Sequence, residues 1–118
     1  MDRDLDERLL DFAVRVVRLV KMLPSSAVGR RLGDQLLRCG TSVGANYQEA
    51  QGAESKEDFT HKLQVALKEA REARYWLRVL GRSETVASKR LGPLLDESDQ
   101  ICSILSKAVA TAKGTTKS

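Results

Sequence analysis

At 118 residues, with 42% of them apolar and 31% charged, the chain is the size of one domain and buries enough surface to hold a core without metal or disulfide staples. No apolar run approaches the roughly 20 residues of a membrane span, and the chain opens on a charged Met-Asp-Arg-Asp run, so neither insertion nor secretion is indicated and a cytoplasmic protein is expected. Twenty Lys and Arg against 16 Asp and Glu, net +4, make it only modestly basic, too little to select a partner by itself.

The first predicted element carries Leu5, Leu9, Phe12, Val16, Leu19 and Leu23 in steps of four and three, a spacing that only a helix gathers on one face. Leu23-Pro24-Ser25-Ser26 ends it. The same helix holds Leu10, Val14 and Val17, which project roughly 100 to 160 degrees away from Val16. Either they widen the core or they face another copy of the chain; water is a poor neighbour for such a stripe.

Leu32, Leu36, Cys39, Val43, Asn46 and Ala50 set the rhythm of a second helix. Its Gly40, Gly44 and Gly52 each cost about 1 kcal/mol against alanine inside a helix, and close approach of a neighbouring helix would offset that cost. Asn46, in step with the core, is expected to find a partner among Glu49, Glu69 and Glu72. Asn46, Glu49 and Glu72 are accordingly read as structural polar residues that fix register, rather than as a catalytic set.

The third helix is predicted to start at Ser55, where the run to Asp58 can form a capping box. Its ladder of Phe59, Leu63, Ala66, Ala70, Ala73, Leu77 and Leu80 runs about six turns without a miss, and the alanine rungs let a long partner approach closely. Beside it runs Val65, Glu69, Glu72, Trp76 and Val79. Leu10, Val14, Val17, Val65, Trp76 and Val79 are the candidate oligomer interface. Opposite the ladder lies the row Lys68, Arg71, Tyr75, Arg78 and Arg82: four cations to meet phosphates and a phenol to stack a base, the ingredients of nucleic-acid adhesion. The competing reading is an ordinary solvated face tempered by Glu69 and Glu72. Arg30, Arg31 and Arg38, with Lys89 and Arg90, would extend the basic surface.

Gly81 and Ser83 separate the third helix from a fourth, marked by Leu91, Leu94, Ser98, Ile101, Leu105 and Ala108. Within it Gly92-Pro93 predicts either a bend or a short preceding helix over Glu84 to Arg90. The fold expected is all-α, an antiparallel up-down-up-down four-helix bundle over residues 1–112, followed by a flexible basic tail at 113–118.

The residue inventory argues against an enzyme. A di-metal bundle needs carboxylates from four helices and two Glu-x-x-His pairs, whereas the single histidine, His61, has only Asp58 at the matching distance. Cys39, Cys102 and His61 lack zinc spacing, and the glycines form no phosphate loop. No nucleophile can be linked to a base. No catalytic residue, metal site or cofactor is therefore expected, and the cysteines are read as core hydrophobes.

Three blocks, Thr41-Ser42-Val43-Gly44-Ala45-Asn46-Tyr47-Gln48-Glu49-Ala50, Glu54-Ser55-Lys56-Glu57-Asp58-Phe59, and Lys68-Glu69-Ala70-Arg71-Glu72 leading into Tyr75-Trp76-Leu77-Arg78-Val79-Leu80, resemble the bacterial four-helix-bundle family named after proteins encoded within intervening sequences of 23S ribosomal RNA genes. The resemblance spans about residues 8 to 108. That family is in turn similar to the accessory variability proteins of diversity-generating retroelements, pentameric barrels that bind reverse transcriptase and RNA. The resemblance implies a homopentamer, with structured RNA, a reverse transcriptase or another protein as partner, and supplies no enzymatic activity. This chain departs from many relatives at Gln51 to Glu54, where a more basic stretch is frequent and only Lys56 nearby is positive.

Overall fold

The computed structural model describes residues 2–114. Four helices run through them, α1 (Asp2–Lys21), α2 (Ala27–Gln51), α3 (Lys56–Arg82) and α4 (Ser88–Lys113). Each packs on its chain neighbours and α4 returns to α1, while the diagonal pairs do not approach. This is the predicted antiparallel up-down-up-down bundle. It is elongated, 45 × 28 × 21 Å.

The apolar ladders face inward as their spacing requires. Leu9, Phe12 and Val16 of α1, Leu36 and Val43 of α2, Leu63 and Leu77 of α3, and Ile101 and Leu105 of α4 form one core. The α3 rungs Ala66, Ala70 and Ala73 are buried, and α2 and α3 share the most extensive of the four interfaces. Small side chains on α3 bring the two axes together, and dispersion contacts along the whole length follow.

Glycine does the same for α2 against α1. A Cβ at Gly40 would lie 2.9 Å from both methyls of Val16, and one at Gly44 would lie 3.3 Å from the Cβ of Leu9. The close approach expected of these two residues is present, and Gly33 joins them against Val20 and Leu23. Gly52 is different: it is the residue after α2 and caps the helix instead of meeting a neighbour.

The turns are locally encoded. Ser26 accepts a hydrogen bond from the amide of Gly29 at 3.0 Å, and Ser55 accepts one from Asp58 at 3.0 Å. The return bond of the Ser55 box is shifted by one residue, since the Asp58 carboxylate accepts from the amide of Glu54 at 3.4 Å. After α3 the amides of Thr85 and Val86 donate to the Leu80 carbonyl, which tucks Val86 into the core and leaves Glu84 in the left-handed region at φ 61°. No separate helix spans Glu84 to Arg90. Instead α4 starts at Ser88 and runs continuously through Pro93. Proline this close to a helix start removes a single internal donor, and Gly92, which has open space around it, spares the chain the Cβ clash that precedes a proline. At the other end α4 reaches Lys113 and stops on Gly114 at φ 71°, one residue into the expected tail; residues 115–118 of that tail lie outside the described residues.

Candidate nucleic-acid interface

The row predicted on α3 lies on its outward face. Lys68, Arg71, Tyr75, Arg78 and Arg82 are all exposed, and the ring of Tyr75, 57% exposed, stands edge-on to Trp76 with centroids 5.1 Å apart. Towards the end of the helix, Tyr75, Arg78 and Arg82 line an open cleft of about 400 Å³ with Val79 and Ser83. Among the described residues none of the four cations of the row makes an ion pair. Arg74, which interrupts the row, is paired with Asp99 of α4 at 3.6 Å.

How far the field of that row is offset depends on Glu69 and Glu72. Both are turned to the α2 side. Arg38 reaches Glu69 at 3.3 Å and makes a still closer contact to Glu72, whose carboxylate also accepts from the indole N–H of Trp76 at 3.1 Å. The Glu72 charge, offset in part by desolvation and supported by Glu69, holds the Arg38 guanidinium above its ordinary value. Two consequences follow. The carboxylates that would have tempered the row are engaged elsewhere, and Arg38 is spent on them, so it does not extend the basic surface as the sequence suggested.

The polar residues read as structural divide. Glu49 accepts from Lys62 of α3 at 2.7 Å, and Glu72 joins α2 to α3 as described. Asn46 does not reach any of the three carboxylates: it is half-buried, and its amide donates to the Ser42 carbonyl of its own helix at 2.9 Å. A turn of helix offered a nearer acceptor than the neighbouring helix did. On the opposite seam Arg8 forks onto Glu97, Nε to Oε2 at 3.0 Å and Nη2 to Oε1 at 2.8 Å, which raises the affinity of the guanidinium for its proton.

The two candidate interface stripes differ in exposure. Leu10, Val14 and Val17 are 56%, 38% and 36% exposed and form an uncovered stripe on α1. Val65, Trp76 and Val79 are only half-exposed, and Trp76 packs on the core edge. A residue that the periodicity passed over is Tyr47, which is buried and lines an open groove of about 820 Å³ with Leu5, Phe59, Leu63 and Ile104, rimmed by Arg8 and Lys107. It stands one residue after Asn46, and a helix face a little wider than the single stripe would have included it. Leu67 was missed for the same reason. Among the described residues no cluster of His, Cys, Asp and Glu has the makings of a metal site, and no helix is long and apolar enough to cross a membrane. Cys39 and Cys102 are free and buried.

No curated protein matches the chain. Among solved structures, one described as a protein of unknown function from the S23 ribosomal protein family of Bacteroides thetaiotaomicron VPI-5482 superposes with a TM-score of 0.83 at 39% identity, over 89% of this chain and 97% of that one. Residues 3–107 match the family model described as 23S rRNA-intervening sequence protein, a match that takes in all three sequence blocks and nearly all of the four helices, and the chain therefore belongs to that family.

Proposed function

We propose that this chain is a non-enzymatic accessory factor that self-associates through α1 and binds RNA or an RNA–protein assembly through the outward row of α3. The observation that carries the reading is the state of the charges: Lys68, Arg71, Arg78 and Arg82 have no carboxylate partner among the described residues, while Glu69 and Glu72 are held by Arg38. A surface-exposed row of unpaired cations with Tyr75 beside it suits a phosphate backbone and a stacked base. A ring of copies, five by the family resemblance, would repeat a weak row into a strong multivalent surface.

The Arg71, Arg78 and Arg82 triple alanine variant is the test. It should remain helical, lose affinity for structured RNA by about tenfold or more at low salt, and show a binding slope against salt reduced by about three. A folded variant that holds RNA as tightly as the parent overturns the reading.

The uncovered Leu10, Val14 and Val17 stripe favours a second reading, a scaffold that assembles into a ring and meets a protein partner, such as a reverse transcriptase, without nucleic acid. That reading expects material whose absorbance ratio at 260 and 280 nm is that of protein alone and does not change on nuclease treatment.

A further inference from the structure

The charges of the bundle are sorted along its 45 Å length. The end formed by the close of α1, the start of α2, the close of α3 and the start of α4 comprises residues 15–37 and 75–95, within which only Asp34 and Glu84 are acidic. Against these two stand Arg15, Arg18 and Lys21 of α1, Arg30 and Arg31 of α2, and a further four cations shared by α3 and α4. The opposite end has the reverse character: residues 2–11 hold five carboxylates against Arg3 and Arg8 and residues 49–58 hold four against Lys56, an excess that Lys62 of α3 and Lys107 and Lys113 of α4 offset only in part. An overall excess of +4 thus understates the field at one end and has the wrong sign for the other.

Two clefts bring arginines of different helices together at the basic end. On one flank of α4, Arg15 and Arg18 of α1 line a cleft of about 180 Å³ with Arg90, over a floor of Leu19, Leu91 and Leu94, and Arg90 leans across to the sulfur of Met22. On the other flank, Arg78 and Arg82 of α3 line a cleft with Ser88, Leu91 and Leu95. Leu91 floors both, so the two arginine groups lie on either side of the same turns of α4. None of these five arginines makes an ion pair among the described residues. Guanidinium groups held at like charge without carboxylates repel one another, and a phosphate backbone relieves that repulsion while gaining bidentate contacts.

We infer that RNA also meets the molecule end-on, where a basic cap continues the α3 row from Arg78 and Arg82 across the start of α4 to Arg90, Arg15 and Arg18. This rests on the RNA-binding reading and extends it from one helix face over one end of the bundle. The acidic end then fixes orientation by repelling the same backbone.

The test compares two variants of the full chain, Arg15→Gln/Arg18→Gln/Arg90→Gln and, at the opposite end, Lys107→Gln/Lys113→Gln, with the parent, using fluorescence anisotropy of a short RNA hairpin across a salt series. Glutamine keeps the stems over the cleft floor and retains helix propensity, and circular dichroism checks that both variants stay folded. The first should lose about tenfold or more in affinity and about three from the salt slope, the second about twofold at most. A first variant that binds like the parent overturns the end-on inference; if the Arg71, Arg78 and Arg82 alanine variant is impaired in the same series, the RNA reading survives that failure. A parent that does not bind the hairpin, or that binds polyglutamate as tightly, overturns both.

Discussion

At the scale of single residues, the clearest determinant is the absence of a side chain. A methyl at Gly40 would lie 2.9 Å from two atoms of Val16, so the helix-propensity gain of about 1 kcal/mol is outweighed by overpacking of about 1–3 kcal/mol. Gly40→Ala should lower unfolding stability in urea by about 1 kcal/mol, and Val16→Ala in the same background should cost less than it does alone. The glycine at this position was legible as a demand for close approach, but which helix approaches was not, because the spacing of one helix carries no record of its neighbour's. Cys39 shows a second residue-scale effect. Burial first, then the Glu72 charge, pushes its thiol up to about 12 against 9.0 for an exposed one, and burial raises Cys102 as well. A folded value above the unfolded one means that stability is intact below pH 9 and is lost as pH climbs towards 12. Cys39→Ala should flatten that alkaline decline in thermal melts, and a disulfide reagent should label Cys39 of the native protein far more slowly than that of the unfolded chain.

Among the elements, α3 was the most fully readable. Its ladder, its capping serine and its outward basic row all lie where a period of 3.6 puts them, because its inner face is regular and its partners are uniformly close. Ser55→Ala should cost about 1 kcal/mol, measured by chemical denaturation, since the Asp58 amide would lose its acceptor at the helix start. The Arg38 link to Glu69 and Glu72 was invisible from spacing: it joins residues 31 and 34 positions apart across two helices whose relative rotation no single-helix pattern states. Asn46, expected to meet Glu49 of its own helix or Glu69 or Glu72 of α3, instead donates to the Ser42 carbonyl one turn back. Of the two outcomes that Pro93 allows, the separate short helix is absent, because a proline in the first turns is compatible with one continuous helix. In the preceding turn Glu84 holds a left-handed conformation that asparagine adopts more readily, and Glu84→Asn should raise stability by about 0.5 kcal/mol in the same assay.

For the molecule as a whole, the exposed stripe of Leu10, Val14 and Val17 bears on assembly. Light scattering coupled to size exclusion should give a mass several times the 13.0 kDa of one chain, and Leu10→Glu with Val17→Glu should reduce it to a single subunit without loss of helicity. A parent that runs as a well-behaved monomer at high micromolar concentration would remove the self-association proposal. The sorting of charge between the two ends belongs to this scale too. Each helix alone has a mixture of signs, and only the antiparallel path, which brings residue 18 beside residue 90, collects the cations at one end.

The seam between α1 and α4 is the thinnest of the four, and it is also the one that joins the two extremes of the chain. Every larger interface links helices consecutive in sequence, so most of the native contacts form at small chain separation and folding should be rapid. Closure of the last seam should then come late, and its reversal should be the cheapest partial opening. In hydrogen exchange, amides of the α2–α3 hairpin should be protected longest, while those along the outer edges of α1 and α4 should exchange through a local parting of the ring that leaves the hairpin intact.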